Sequence, residues 1–160
     1  MNVVVRKADS EDLEAINELT DIMHRHLAAL YKLKLGNDEI DEEHFDAGEL
    51  TNIYVAESAG TGIIGYISFS KGTDEWIGPY YELEHIVVRK DYRSRGVGRE
   101  LFKVLLDRAE HEGLNIKAGS LARNRLALDF LEELGFKQFS IDVVLDLQNR
   151  IFSHLQGEVN

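Results

Sequence analysis

The chain has 160 residues, enough for one domain that buries about two-thirds of its unfolded surface, and a single domain is predicted over residues 1–160. Its formal net charge of −11 argues against nonspecific nucleic-acid binding, which depends on cationic contacts with phosphates. It contains no cysteine, and no apolar run is long enough to cross a membrane. We therefore expect a cytoplasmic protein that binds neither nucleic acid nor a membrane.

The first predicted elements are a strand over residues 3–7 and a helix capped by Asp9 or Ser10. The apolar residues of this helix recur at the spacing of one helix face and comprise Leu13, Ile16, Leu19, Met23, Leu27 and Leu30. Gly36 interrupts the pattern, so the helix is expected to end before it.

A short second helix is predicted over residues 41–50, and a hairpin follows with strands over 52–57 and 63–70. Residues 36–50 also form an acidic run without lysine or arginine. Its carboxylates are Asp38, Glu39, Asp41, Glu42, Glu43, Asp46 and Glu49. Such a run either attracts a cationic ligand or forms a solvated face that aids solubility.

The C-terminal half alternates strands and helices. It predicts a strand over 80–88, a helix from Val97 to Gly113, a strand over 115–121, a helix over 123–134 and a strand over 136–147. Gly113 and Gly135 stand where a glycine ends a helix. The alternation indicates a mixed sheet with flanking helices in one unit.

An arginine- and glycine-containing loop, Arg93-Ser94-Arg95-Gly96-Val97-Gly98, joins the strand over 80–88 to the next helix. Its glycines let phosphate oxygens approach the main chain, and the first N–H groups of the helix lack intrahelical partners. Cations cluster around it: Arg89, Lys90, Arg93, Arg95, Arg99 and Lys103. The loop predicts a diphosphate site, although a plain turn with a basic surface has the same pattern.

Two spaced motifs resemble the signature of the GNAT superfamily of acyl-CoA-dependent N-acetyltransferases. Arg93-x-x-Gly96-x-Gly98 is similar to its acyl-CoA loop, and Asn124-x-x-Ala127-x-x-Phe130-x-x-x-Leu134-Gly135-Phe136 is similar to the second half of its signature. The likeness covers about residues 3–147 and is strongest over 82–136. It implies an α/β fold with a mixed, largely antiparallel sheet of six to seven strands and flanking helices.

The resemblance also implies acetyl-CoA as cosubstrate and assigns residues to it. They are Ile86, Val87, Val88, Arg93, Ser94, Arg95, Gly96, Val97, Gly98, Arg99 and Asn124. No metal is expected, because His24, His26 and His44 lack the spacing of a convincing ligand set.

The chemistry is expected on the strand over 80–88. Because side chains alternate along a strand, Glu82 and Glu84 are expected on the face opposite His85. An amine must lose a proton before it attacks a thioester, and a carboxylate is suited to take it. GNAT enzymes often place a glutamate at this point, so Glu84 is the predicted general base. His85 as the base, and a purely structural Glu84, are the alternatives.

One departure from the family pattern concerns the general acid. Many GNAT enzymes carry a tyrosine directly after the apolar residue matched by Phe130, where its hydroxyl protonates the departing thiolate, but this chain has Leu131. Leu131 is expected to pack in its helix, so the acid comes from elsewhere or is absent. Candidates by residue type are Tyr80, Tyr81, Tyr92 and Ser120.

Together these features predict an N-acetyltransferase that moves an acetyl group from acetyl-CoA directly to a primary amine. The acceptor is expected to be a small molecule or a peptide amine, and the acidic run favours a cationic one, with Trp76, Tyr80 and Tyr81 as candidate pocket residues. A homodimer is compatible with the sequence. The alternatives are a noncatalytic acyl-CoA-binding sensor and a partner-binding module that uses the acidic surface.

Overall fold

The computed structural model describes residues 2–33 and 44–155, which contain one five-stranded sheet. In chain order the elements are β1 (Val3–Lys7), α1 (Leu13–Leu30), β2 (Ile53–Ser58), β3 (Gly62–Asp74), β4 (Gly78–Val88), α2 (Val97–Glu112), β5 (Asn115–Ala118) and α3 (Arg125–Glu133). The strand order is β1-β2-β3-β4-β5, antiparallel except between β4 and β5, which are parallel. The expected mixed, largely antiparallel sheet is confirmed, with one or two fewer strands than expected in the described residues.

Helices cover both faces of the sheet, and each buries one apolar stripe. Leu101 and Leu105 of α2 are fully buried in one cluster, while Ile16 and Leu19 of α1 pack with Tyr66 of β3 in the other. Because β3 is buried on both faces, it carries a continuous apolar run rather than a simple alternation. No helix within residues 2–33 and 44–155 is both long enough and apolar enough to span a bilayer.

The start of α1 is held to the sheet by Arg6. Its guanidinium donates to both carboxylate oxygens of Asp12 at 2.7 and 2.9 Å and to Glu57 at 2.9 Å. Asp9 caps the short 3-10 turn that leads into α1, as expected for one of the two predicted caps. Hydrogen bonds from Arg6 lower the pKa of Asp12. This cluster therefore ties β1, β2 and α1 together on one edge of the sheet.

The predicted strand over residues 136–147 is wrong. This segment forms no strand, and it exposes a series of alternating apolar side chains by 53 to 88%: Phe139, Ile141, Val143, Leu145 and Leu147. A strand needs a neighbour for its backbone hydrogen bonds, and this segment pairs with none of the five described strands. The predicted strand over 115–121 is likewise shorter and ends at Ala118.

The predicted second helix is tested only in part. Its residues 41–43 lie outside the described residues, as do Gly36 and the acidic side chains of residues 38–43. Residues 44–49 form coil and turn rather than an α-helix, and a 3-10 turn follows at Leu50–Asn52. Backbone bonds from Asp46 and Gly48 to nearby carboxylates replace helical bonds here.

Candidate active site

A cavity of about 1040 Å³ opens where β4 and β5 part. β4 continues to Val88, but β5 pairs with it only from Tyr80 to Leu83. Residues 84–88 line the cavity on one side, and residues 118–121 line it on the other. A strand edge left by its neighbour offers backbone donors and acceptors to an extended ligand.

The loop after β4 forms the polar end of this cavity. Gly96 is the N-cap of α2 at φ 85°, in the left-handed region that favours glycine, and the helix start has no side-chain cap. Within residues 2–33 and 44–155, no side chain caps the first N–H groups of α2, and the positive end of the helix dipole lies beside the cavity. This is an arrangement that suits a phosphate group.

All but two of the residues predicted to bind acetyl-CoA line the cavity: Ile86, Val87, Val88, Arg93, Ser94, Gly96, Gly98, Arg99 and Asn124. The other two lie apart from the lining. The Arg95 guanidinium lies 5.7 Å from the centroid of the Tyr92 ring, and Val97 is buried in the core.

Two of the lining residues also hold the local backbone. Arg93 Nε donates to the carbonyl of Val88 at 2.9 Å, which fastens the loop to the end of β4. Asn124 Oδ1 accepts from the backbone N–H of Ala127 at 3.3 Å and caps α3. A change at either position is therefore expected to disturb the shape of the cavity as well as its charge.

Gly98 makes a contact that the sequence analysis missed. A Cβ at this position would lie 3.1 Å from Cζ of Phe130, which is tighter than ordinary van der Waals contact. Gly98 belongs to the first motif and Phe130 to the second, so the two motifs meet at this point. Their joint occurrence at a set spacing was the only signal of this contact in the sequence.

A β-bulge interrupts the alternation of β4. Ser68 of β3 is opposite His85, and Phe69 is opposite Leu83, so Glu84 is an extra residue without its own opposite residue. The prediction that His85 lies on the face opposite Glu84 is wrong, because the bulge turns both side chains toward one face of β3.

The hydrogen bonds of the two side chains demonstrate this shared face. Glu84 Oε1 accepts from Ser70 Oγ at 2.7 Å, and His85 Nδ1 lies 3.1 Å from the hydroxyl oxygen of Tyr66. Tyr66 and Ser70 are four residues apart in β3, and strand residues at even spacing share a face. Glu84 and His85 both line the large cavity.

A chain of hydrogen bonds connects His85 to α1. Thr20 Oγ1 donates to the carbonyl of Ile16 at 2.9 Å and lies 2.7 Å from the hydroxyl oxygen of Tyr66, which lies 3.1 Å from His85 Nδ1. Burial raises the pKa of Tyr66, so the phenol stays protonated. This chain orients the His85 ring beside Glu84, and His85 is a second candidate base.

The other carboxylate of the strand, Glu82, does not line the cavity. Burial raises its pKa, the ammonium group of Lys117 lowers it, and the carboxylate of Glu84 raises it further. Glu84 is therefore the carboxylate of β4 that is placed to meet a ligand in the cavity.

Among the candidate acids, Ser120 alone lines the cavity in the described part of the chain; Tyr80, Tyr81 and Tyr92 do not. Leu131 both lines the cavity and packs against the core cluster beneath α2. Its packing agrees with the role expected from the sequence.

The three histidines and Trp76 named from the sequence lie in different places. His24 and His26 line the cavity, whereas His44 Nε2 lies 2.6 Å from Asp21 Oδ1. No group of three metal-ligating side chains is found within residues 2–33 and 44–155. Trp76, a candidate pocket residue, is 79% exposed and does not line the cavity.

The model of the acetyltransferase (GNAT) family matches residues 4–136. The L-amino acid N-acyltransferase MnaT of Escherichia coli is 31% identical over 140 residues, which cover 82% of this chain and 78% of that protein. The L-methionine sulfoximine/L-methionine sulfone acetyltransferase of Salmonella typhimurium is 28% identical over 137 residues, covering 84% of this chain and 80% of that protein.

A solved structure with the same fold is that of the PaiA N-acetyltransferase from Thermoplasma acidophilum in complex with coenzyme A. It superposes with a TM-score of 0.72 at 19% identity and covers 89% of this chain and 94% of that one.

Proposed function

Since the chain belongs to the GNAT family of acetyl-CoA-dependent N-acetyltransferases, we propose that it transfers the acetyl group directly to a small primary amine with Glu84 as the general base. Acetyl-CoA is the cosubstrate. The choice of base rests on the position of Glu84. The β4 bulge turns its side chain into the cavity, and Ser70 donates a hydrogen bond to its carboxylate.

The cavity has features that fit acetyl-CoA. The uncapped start of α2 and the cations of Arg93 and Arg99 suit the diphosphate, while the open edge of β4 over 84–88 suits the extended arm that carries the thioester. These two features lie at connected parts of one cavity. The thioester of a ligand bound in this way would lie near the bulge, where Glu84 and His85 are found.

In the proposed reaction, the Glu84 carboxylate takes a proton from the ammonium group of the acceptor. The amine nitrogen then attacks the thioester carbonyl carbon and loses its second proton as the amide forms, the bond from carbon to sulfur breaks, and the CoA thiolate leaves and takes up a proton. A thiolate is a fair leaving group, so Leu131 at the family's tyrosine position is compatible with turnover. His85 is the alternative base.

The acceptor class is inferred from the relatives and from charge. The two named relatives act on L-amino acids and on L-methionine sulfoximine and L-methionine sulfone, all of them small amines. The carboxylate of Glu49, which lines a smaller cavity together with Glu84, supports a cationic acceptor rather than an anionic one. A small amine therefore fits better than a peptide amine.

We also propose a homodimer, because a second copy would cover the apolar side chains that residues 139–147 expose. Sedimentation equilibrium measures this directly, and a protein that remains monomeric at high micromolar concentration would refute it.

The test of the proposed function is a screen of free primary amines with acetyl-CoA, followed by thiol release. The expected result is amine-dependent release of CoA and a mass increase of the acceptor by one acetyl group. Binding of acetyl-CoA without acetylation of any amine would instead indicate a noncatalytic acyl-CoA sensor.

A further inference from the structure

Helix α1 crosses the cavity between β4 and β5 from one wall to the other. Near its middle, Thr20 Oγ1 lies 2.7 Å from the hydroxyl oxygen of Tyr66 on β3. One turn later, the ring of His24 meets that of His85 on β4 edge to face, with 6.2 Å between the centroids. The helix ends at Leu30, and this end contacts the loop between β5 and α3. Successive turns of α1 therefore lie over β3, over β4 and on the far side of the gap.

The two halves of α1 are held to the protein in different ways. In the first half, Ile16, Leu19 and Thr20 are buried against the sheet. In the second half, Ala28 is buried. The other side chains of this half include four that line the cavity: Met23, His24, His26 and Leu27. Because a segment with few buried apolar contacts opens more easily than a core segment, the second half depends on the contacts at its end.

Arg123 makes such a contact from the opposite wall. Its guanidinium donates to the backbone carbonyl of Leu30 at 3.1 Å, and its Cζ lies 4.9 Å from the centroid of the Tyr31 ring. A cation is favoured at the C-terminal end of a helix, where carbonyl groups lack intrahelical donors and the helix dipole is negative. Contact with an aromatic face adds to this attraction. Arg123 therefore joins the last turn of α1 to the loop between β5 and α3.

This contact lies beside the cavity. Leu27 precedes Tyr31 by four residues, so the two side chains share one face of the helix, and Leu27 lines the cavity. On the other wall, Leu121 belongs to the same loop as Arg123 and also lines the cavity. An extended ligand along residues 84–88 would thus lie between α1 and this loop, which Arg123 connects.

We propose that Arg123 is a positioning residue that holds the second half of α1 across the cavity and thereby controls the exchange of acetyl-CoA. While Arg123 binds the end of α1, the extended arm of the ligand is enclosed between the two walls. When this contact breaks, the end of α1 can move away, and the arm can enter or leave sideways. The inference rests on the placement of acetyl-CoA in this cavity and is independent of the choice of general base.

The test is Arg123→Met, with the binding of CoA followed by surface plasmon resonance in the absence of an acceptor. This change keeps the apolar stem and removes the hydrogen bond and the charge. The association and dissociation rate constants should both rise by about fivefold or more, because a barrier shared by entry and exit is lowered. Kd should change by less than either rate constant.

Arg125→Met is the matched control. It removes a guanidinium group two residues further on, which pairs with Asp129 at 3.0 Å along α3 and is not part of the cavity lining. Both rate constants of this variant should equal those of the wild type.

Tyr31→Leu gives an independent measure of the same contact. It removes the aromatic face but leaves the Leu30 carbonyl for Arg123, so both rate constants should rise by about two- to threefold. The Tyr31 ring also contacts Phe152, with 6.4 Å between the centroids. Phe152→Leu removes that second contact alone and should keep the wild-type rate constants.

A purely structural Arg123 would give a different result. The melting temperature of Arg123→Met would then fall, and weaker binding would raise the dissociation rate constant alone. The inference is overturned if the association rate constant does not rise in Arg123→Met, or in Tyr31→Leu where Arg123→Met fails to fold.

The outcomes also separate this inference from the proposed function. If both rate constants rise as expected but the wild type acetylates no amine, the proposed function is overturned and the role of Arg123 stands. If the wild type acetylates amines but the association rate constants stay unchanged, the role of Arg123 is overturned and the proposed function stands. A wild type that does not bind CoA overturns both.

Discussion

The proposed cofactor side of this site, which begins at the loop before α2, and the bulge of β4 are built in different ways. On the cofactor side, five residues of the segment 93–99 line the cavity, and Gly98 lies against Phe130. At the bulge, Glu84 and His85 reach one face only through the pairing of β4 with β3, where they hydrogen-bond with Ser70 and Tyr66. One region is local in the chain, and the other depends on how strands are paired.

This difference has a functional consequence that can be measured. Changes on the cofactor side should alter the binding of acetyl-CoA, and changes near the bulge should alter turnover or the acceptor while leaving acetyl-CoA affinity intact. A variant that affects both sides equally would contradict the separation.

The largest expected effect is that of Glu84→Gln. Loss of the general base should lower kcat/KM at neutral pH by about 10²- to 10⁴-fold, with nearly unchanged acetyl-CoA affinity, because the lost interaction belongs to the chemical step. The defect should shrink as the pH approaches the pKa of the acceptor amine. Glu82→Gln, on the same strand but outside the cavity, should stay close to wild type. Equal activity of Glu84→Gln and wild type would redirect the assignment to His85.

Gly98→Val tests the cofactor side. At acetyl-CoA concentrations about 100 times Kd, binding should stabilise the wild type by about 2.7 kcal/mol, and this gain should disappear in the variant while the ligand-free protein stays folded. Thermal melting with and without acetyl-CoA measures both.

The contact with Phe130 allows a second test, which asks how the Gly98→Val change acts. If the new side chain acts by displacing Phe130, whose ring would lie 3.1 Å from the Cβ, then Gly98→Val combined with Phe130→Ala should recover part of the gain. If the side chain instead excludes a phosphate, the double variant should recover none.

The cofactor side was largely predictable from the sequence because its structure follows from local preferences. Gly96 adopts the left-handed conformation that glycine favours, and Gly113 ends α2 in the same region, where a glycine C-cap was expected. These features need no knowledge of distant contacts. Because the loop and the helix start form from local preferences, most residues predicted to bind acetyl-CoA lie along one cavity.

The orientation of the candidate bases was not predictable, since a bulge depends on the partner strand. Simple alternation separated His85 from Glu84, but one extra residue opposite β3 brings them to one face. The same limitation explains the wrong strand over 136–147, where an alternating pattern exists without a neighbour to pair with.

Leu131→Tyr tests whether the site works without a general acid. If the site has no general acid, a hydroxyl at this position of the cavity wall should raise kcat by about tenfold or more. If Ser120 or another group already acts as the general acid, kcat should not rise. Overpacking is expected to cost about 1–3 kcal/mol of stability, so melting temperatures must be compared first. Leu131→Phe supplies the ring without the hydroxyl and should give no gain in either case.

The smallest expected effect on turnover is that of Tyr66→Phe, which removes the hydroxyl group that hydrogen-bonds with His85 Nδ1 and leaves the hydrogen bond of Glu84 with Ser70 in place. With Glu84 as the base, kcat/KM should fall by less than about threefold, although the free energy of unfolding should drop by about 1–3 kcal/mol because a buried hydrogen-bond network is broken. With His85 as the base, loss of the hydrogen bond that orients the ring should lower kcat/KM by about tenfold or more and shift its pH profile. The pH dependence of kcat/KM for Tyr66→Phe and for His85→Gln, measured beside Glu84→Gln, distinguishes the two. A large defect in Tyr66→Phe and in His85→Gln, with none in Glu84→Gln, would assign proton removal to His85.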